Sequence, residues 1–135
     1  NFFTKIRNRN FKLHCDFFKK LENHFIIPNV NKNVKTNFLA YPIIFKKRNN
    51  FSRKEFQIYL EKNKIQTRPI FTGNLLRHPA FSSLISSKNK LNEFLGADYI
   101  MKNGLLIGCH QGLSKKDISY MHTIILNFNK LRKFN

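Results

Sequence analysis

The residues best suited to chemistry are gathered in one stretch, residues 65–81. Arg68 and Arg77 are permanent cations whose planar guanidinium groups can hold carboxylate or phosphate oxygens through paired hydrogen bonds. Pro69 restricts the backbone and Gly73 allows a sharp turn, so the loop can present these groups in a defined way. Surface loops are polar in any case. Composition therefore leaves an anion-binding loop and a solvated connection as open alternatives.

Two further polar residues could contact a ligand. Asn74 follows Gly73, and its amide offers both a donor and an acceptor to a ligand. A turn asparagine can equally satisfy its own backbone. His110 follows the apolar run 104–109, which predicts a strand whose end could meet a ligand. The remaining histidines lack metal-ligand spacing, and three of them are expected to be surface or packing residues: His14, His24 and His122.

Four segments in a fixed order give the sequence a specific resemblance. Residues 67–81 contain Thr-Arg, then Phe-Thr-Gly-Asn-Leu, then Arg-His-Pro-Ala-Phe. Together with residues 38–45, 97–101 and 107–114, this signature resembles the nucleotide-diphosphate-4-keto-6-deoxyhexose 3-dehydrases of lipopolysaccharide sugar synthesis. Those enzymes resemble the DegT/DnrJ/EryC1/StrS sugar aminotransferases. The resemblance covers nearly the whole chain but only the C-terminal part of a family member.

The chain departs from the family pattern at three places. The aromatic run near residue 38 lacks the family's tryptophan, His78 replaces a common glutamine, and Gln111 replaces the usual proline. The Thr-Gly-Asn form of the loop is nevertheless the version that points to the dehydrase branch rather than to the aminotransferases.

The resemblance implies a fold and a domain organisation. It predicts the α+β small C-terminal domain of a fold-type-I enzyme dependent on pyridoxal phosphate (PLP), with a short antiparallel or mixed sheet covered by helices. Residues 1–24 would be the helix that links it to a missing large cofactor domain, and residues 25–135 would be the small domain. The start at Asn1 rather than Met also led us to expect a fragment.

The resemblance also implies a function. The full enzyme would use pyridoxal or pyridoxamine 5'-phosphate to remove the C3 hydroxyl of a 4-keto-6-deoxyhexose nucleotide. A sugar-nucleotide aminotransferase of the same family is the near alternative. No catalytic residue is expected in this chain, because the cofactor-anchoring acid and the catalytic Lys or His belong to the large domain, so the fragment alone is expected to be inactive. The predicted substrate-binding residues are Arg68, Thr72, Asn74, Arg77 and His110.

Partners and location follow from the same resemblance and from the cysteines. We expect a cytoplasmic homodimer that acts on a nucleotide sugar, with a possible reductase partner. Some related dehydrases carry an iron-sulfur cluster, but its ligands lie upstream of this segment, so Cys15 and Cys109 cannot replace them. These two cysteines have no CxxC spacing, which favours a reduced protein. No apolar run reaches the roughly 20 residues that span a bilayer, so no membrane partner is predicted.

The charge of the chain raises an alternative of another class. Its 25 Lys and Arg against 7 Asp and Glu give a formal net charge of +18, which attracts polyanions. The cations are spread from Lys5 to Lys133, and no recognisable nucleic-acid-binding motif accompanies them. Specific nucleic-acid binding is therefore not predicted, although a basic nucleic-acid-binding module remains the rival interpretation.

The elements that must position these residues can be predicted from the pattern. Apolar spacing predicts a helix over 4–23 with a stripe of Phe3, Ile6, Leu13, Phe17 and Leu21. Residues 37–46 predict a strand, and the proline within it requires an edge or a bulge there.

Two capping signals predict the starts of later helices. Ser52 with Glu55 forms a capping box for a helix that ends near residue 63. Ser114 with Asp117 repeats the pattern before a C-terminal helix. Residues 65–70 should be extended, 91–102 should form a short helix broken at glycine 96, and 104–109 should be a central strand. The inward face of the last helix is predicted to hold Ile118, Met121, Ile125 and Phe128, with Leu131 a further candidate.

Overall fold

The structure is a computed structural model that describes residues 2–31, 33–47, 49–84 and 92–131. The described residues form four longer helices and four short strands. Three short 3-10 segments lie between the third strand and the third helix. In chain order the elements are α1 Phe2–Lys19, β1 Phe25–Ile26, β2 Ala40–Phe45, α2 Arg53–Lys62, β3 Thr67–Arg68, the 3-10 segments Leu75–Arg77, Pro79–Leu84 and Asn92–Phe94, α3 Leu95–Asn103, β4 Gly104–Gly108 and α4 Lys115–Leu131.

The four strands form one antiparallel sheet in the order β1-β2-β4-β3. The predicted strand 104–109 is β4, and it is central as expected, with β2 on one side and β3 on the other. β1 pairs only with Ile44 and Phe45 of β2. Pro42 therefore pairs with β4 alone. Although β2 is an inner strand, no strand lies beside Pro42 on its other side, so the proline sits at a locally open edge, as its missing N–H requires.

The core lies between one face of this sheet and the helices, and it is largely aromatic. Successive buried residues of β2 alternate with less buried ones, so Tyr41, Ile43 and Phe45 share the inward face. The ring of Phe18 stacks on Tyr41, with centroids 5.1 Å apart. The rings of Phe45 and Phe56 meet edge to face at 5.2 Å. Such contacts stabilise a core beyond the area they bury.

The buried face of α1 differs from the predicted stripe. Phe3 is 54% exposed, whereas Asn10 and His14 are fully buried beside Phe11 and Phe18. The helix is shorter than predicted, since the chain turns after Lys19. Leu13, Phe17 and Leu21 of the predicted stripe pack against the core but are only partly buried. The prediction missed the most buried positions because it sought apolar side chains, and two of those positions are polar.

Both capping signals are confirmed. Ser52 accepts from the Glu55 backbone, and the Glu55 carboxylate accepts in return from the Ser52 backbone. The Ser114 and Asp117 pair exchanges the same two bonds, at 2.7 and 3.2 Å. The four predicted inward residues of α4 are buried, while Leu131 is 71% exposed.

Two further expectations needed correction. Gly96 does not break a helix, because α3 runs through it from Leu95 to Asn103; a side chain at that position would meet open space. β1 was not predicted, since two residues are too short to show a pattern. Among the described residues, no helix is long and apolar enough to cross a membrane.

Candidate functional site

A cavity of about 460 Å³ opens at the carboxyl end of the central strand β4. Ile107 and Met121 give it an apolar floor, and polar side chains from three other segments surround the floor. Those polar side chains are Lys64, Gln66, Arg68, His110, Asp117 and Tyr120. The structure thus brings together two of the predicted site residues, Arg68 and His110, although 42 positions separate them in the sequence.

Strand pairing places Arg68 at the cavity. Arg68 pairs with Leu106 of β4, and its neighbour Thr67 pairs with Ile107. The Thr67 side chain is buried and donates a hydrogen bond to Glu61, which ties β3 to α2. Because side chains alternate along a strand, the inward Thr67 leaves Arg68 on the exposed face. The hydroxyl contact also lowers the pKa of the Glu61 carboxyl.

The loop that carries His110 is held from behind by α1. The fully buried Asn10 amide donates to the backbone carbonyls of His110 and Leu113, both at 3.0 Å. Arg7 donates to the Gln111 side chain at 2.7 Å. Sequence reasoning missed Asn10, yet it left a signal, since a polar residue among apolar neighbours on a helix face needs a buried partner.

The buried His14 and the partly buried His122 support the end of β4. His14 Nε2 lies 3.1 Å from the Gly108 carbonyl oxygen, so this nitrogen must donate. His14 Nδ1 then accepts from His122 Nε2 at 3.0 Å, which makes the His14 ring neutral. Burial lowers the pKa of His14 to about 4 and that of His122 to about 3. His14 is a packing residue as expected, but it is not at the surface.

The second half of the motif, which follows Gly73, is held together away from the cavity. Asn74 is 4% exposed, donates to Asp98 at 2.8 Å and accepts from the Leu76 backbone. Arg77 makes two hydrogen bonds to the same Asp98 carboxylate. The Arg77 and Asn74 contacts lower the pKa of Asp98 to about 2. We call this arrangement the Asp98 cluster.

The turn between the two halves is tightly packed. Gly73 has φ +67°, in the left-handed region, and a Cβ there would lie 2.3 Å from Cγ of Met101. Thr72 is exposed and does not line the cavity. A role for Thr72, Asn74 and Arg77 in substrate binding therefore stays a prediction, while the observed contacts of Asn74 and Arg77 explain the shape of the loop.

The charges and donors around the cavity suit an anionic or hydroxyl-rich ligand. Lys64 and Arg68 supply cations, and His110 can donate or accept. The Tyr120 hydroxyl donates to the Asn63 carbonyl and can still accept, and the apolar floor can contact a sugar or base. Asp117 caps α4, where its contacts with Ser114 lower its pKa. It is the one carboxylate among the described lining residues, and it is already engaged. The cavity therefore offers anion-binding groups but no uncommitted acid of the kind that would anchor a pyridine ring.

With this geometry established, comparison with known proteins places the chain in a family. The model of the DegT/DnrJ/EryC1/StrS aminotransferase family matches residues 1–126. The chain belongs to this family. The solved structures that share its α+β fold are fold-type-I dehydratase and aminotransferase chains, which confirms the predicted fold class.

Three relatives illustrate the similarity. The lipopolysaccharide biosynthesis protein RfbH of Salmonella typhimurium is 26% identical over 88% of this chain. The GDP-4-keto-6-deoxy-D-mannose 3-dehydratase of Escherichia coli O55:H7 is 27% identical over 91%. A solved E. coli enzyme of that activity, with bound hydrated PLP, gives a TM-score of 0.74 at 24% identity, with 91% of this chain and 31% of that chain covered.

An aminotransferase from Psychrobacter cryohalolentis shares the fold with a TM-score of 0.82 at 15% identity, covering 97% of this chain and 35% of that chain. The chain spans only 27% and 31% of the lengths of the two curated relatives.

Proposed function

We propose that this chain is the substrate-recognition part of a PLP- or pyridoxamine-phosphate-dependent nucleotide-sugar 3-dehydrase that removes the C3 hydroxyl of a 4-keto-6-deoxyhexose nucleotide. The observation that carries the proposal is the meeting of Arg68 and His110 on one cavity at the end of β4. The family membership and the higher sequence identity to a 3-dehydratase than to the aminotransferase support it.

Each group in the cavity has a proposed task. Arg68 holds the diphosphate or a sugar oxygen of the substrate through its guanidinium fork. His110, on a loop braced by Asn10, donates to or accepts from a sugar oxygen. The apolar floor excludes water from the same surface. These residues bind and orient the substrate, and none of them is proposed to break a bond.

The cofactor is proposed to be held mainly by another part of the protein. The described lining residues lack a free carboxylate for its ring, as the engagement of Asp117 shows. When bound, the cofactor supplies the electron sink for the elimination. An iron-sulfur centre, where a full enzyme has one, would likewise need ligands other than the half-buried Cys15 and the fully buried Cys109. A cytoplasmic homodimer and a reductase that acts on the product complete the proposal.

The reaction is tested with the protein expressed from its gene and loaded with cofactor. It is incubated with nucleoside-diphosphate 4-keto-6-deoxyhexoses and an amino donor such as glutamate, and the products are identified by mass spectrometry. Loss of the C3 oxygen supports the dehydrase. Replacement of the keto oxygen by an amino group would instead establish the aminotransferase, the second candidate, which the TM-score of 0.82 favours on fold. Neither product with any such substrate would contradict the proposal.

A further inference from the structure

A second cavity lies at the opposite end of β4, and several cationic residues line it. It measures about 230 Å³ and lies among the end of β2, the start of α2 and the end of α3. Since β4 runs from Gly104 to Gly108 and a strand rises about 3.3 Å per residue, the two ends are about 13 Å apart. The two cavities share no lining residue, so this one is separate from the proposed substrate site.

Five cationic side chains line this small space. Four of them lie within residues 46–54 and the fifth, Lys102, lies 48 positions after Lys54, so the sequence read alone does not show that they share one space. No carboxylate lines the cavity, and none of the five forms an ion pair in the part of the chain that the structure describes. The five are Lys46, Lys47, Arg53, Lys54 and Lys102.

Two of the cations are held in place by the fold. Arg53 donates to the Lys102 carbonyl at 3.2 Å and to the Gln57 side chain at 3.1 Å. The Lys47 ammonium lies 5.9 Å from the centre of the Tyr99 ring, a cation–π contact. Tyr99 in turn donates to the Phe45 carbonyl at 2.6 Å. Pre-organised cations lose less entropy when they bind an anion, which favours binding over mere solvation.

We propose that this cavity, which we call the lysine cavity, binds a phosphate or diphosphate group of a small molecule. Clustered like charges repel one another, and a multivalent anion at the centre removes that repulsion. The small concave volume favours a compact diphosphate over a nucleic-acid strand, which would need an extended basic groove. The first turn of α2 is already capped by the Glu55 carboxylate, so the five side chains carry the proposal.

The test uses the cofactor-loaded protein with Arg68→Ala, so that the other cavity cannot dominate anion binding. Inorganic diphosphate is titrated calorimetrically at about 0.15 M salt. The site is located by protection of lysines from an amine-reactive acetylating reagent, read by mass spectrometry. Lys46, Lys54 and Lys102 should be protected, whereas Lys5, Lys12 and Lys19 on α1 should not be.

Two matched triple variants separate a site from general charge. Replacing Lys46, Lys54 and Lys102 with Gln should weaken diphosphate binding by about tenfold or more, since it removes three charge-assisted contacts that salt screens only in part. Replacing Lys5, Lys12 and Lys19 with Gln removes the same charge and should change binding less than about twofold. All six side chains are at least partly exposed, so both variants should fold, which circular dichroism checks.

Three results would overturn the proposal. They are no diphosphate binding at that salt concentration, equal weakening by both triple variants, or an oligonucleotide that displaces diphosphate and binds more tightly. The last result would establish the nucleic-acid alternative. Because turnover is not measured, failure here leaves the proposed dehydrase reaction standing, and failure of that reaction does not affect this site.

Discussion

The two halves of the Arg-rich loop use similar residues in opposite ways. Arg68 extends from a strand edge to an open cavity, and no carboxylate forms an ion pair with it among the described residues. Arg77 is held by both oxygens of Asp98, which also accepts from Asn74. The comparison shows that an arginine in a motif is available to a ligand only where the fold leaves it without an acidic partner.

The pair of His14 and His122 extends this comparison to groups engaged inside the protein. His14 contacts both His122 and the Gly108 carbonyl and has no contact with solvent. The comparison thus runs from the open Arg68 cavity, through the partly exposed Asp98 cluster, to the buried His14. Four predictions test it, beginning with the largest expected effect.

Acid should destabilise the fold through the histidine pair. The pKa of His14 is about 4 in the folded state against an ordinary 6.5, so its stabilising contribution is complete above pH 6.5 and is lost as the pH falls. Between pH 6.5 and 4 the free energy of unfolding should decrease by about 3 kcal/mol. Urea denaturation across this range measures the decrease. His14→Gln should flatten the pH dependence, while His78→Gln at the surface should not; equal slopes for all three proteins would contradict the prediction.

Arg68→Ala and Arg77→Ala should affect different properties. We expect Arg68→Ala to reduce kcat/KM for the nucleotide sugar about 10- to 100-fold, which corresponds to a charged contact of about 1.5–3 kcal/mol. The melting temperature and cofactor absorbance should not change. Arg77→Ala should lower the melting temperature and leave kcat/KM within about threefold of wild type.

Steady-state kinetics and thermal denaturation could give the reverse result, with kcat/KM reduced in Arg77→Ala and the melting temperature lowered in Arg68→Ala. That result would assign the substrate contact to the Asp98 cluster instead. That outcome would favour the sequence-based expectation for Asn74 and Arg77 over the separation seen in the structure.

Gly73→Ala should disturb the turn that separates the two halves. The left-handed backbone costs an alanine about 1–2 kcal/mol, and the added methyl group would also collide with Met101. Chemical denaturation of the single variant and of the double variant with Met101→Ala measures the two effects. The double variant should recover part of the loss, and an unchanged stability of the single variant would show that the turn can relax.

The two helix caps should have similar energetic effects but different functional ones. Ser52→Ala and Ser114→Ala should each reduce the free energy of unfolding by about 1 kcal/mol. Only Ser114→Ala should raise KM, because α4 carries the cavity residues Asp117, Tyr120 and Met121. The α2 cap lies at the other end of β4. Equal KM values for Ser114→Ala and the wild-type protein would mean that α4 holds its position without the cap.

Much of this fold could be predicted from the sequence, because its signals are local. The capping boxes fix both helix starts within a few residues of the chain, and the apolar run at 104–109 is short and unbroken. The buried face of α1 could not be predicted in the same way. Asn10 and His14 are inward because their partners, the His110 carbonyl and His122, arrive from about 100 residues away.

The site could be predicted only in part, because some of its contacts also join residues that are far apart in the sequence. Arg68 and His110 were identified from residue type and resemblance, but only the pairing of β3 with β4 shows that they share a cavity. Asp98 has no local signal that it engages Asn74 and Arg77. The lysine cavity was also hidden, since its charges come from three separate segments.

The hydrogen bonds from Asn10 to the His110 loop couple the position of that loop to helix α1. One amide spans two carbonyls of that loop, and Arg7 adds a third attachment one helical turn earlier. His14 of the same helix also contacts the Gly108 carbonyl at the end of β4. A tilt of α1 would therefore move the His110 loop and the end of the central strand together, and with them one side of the cavity that Arg68 lines.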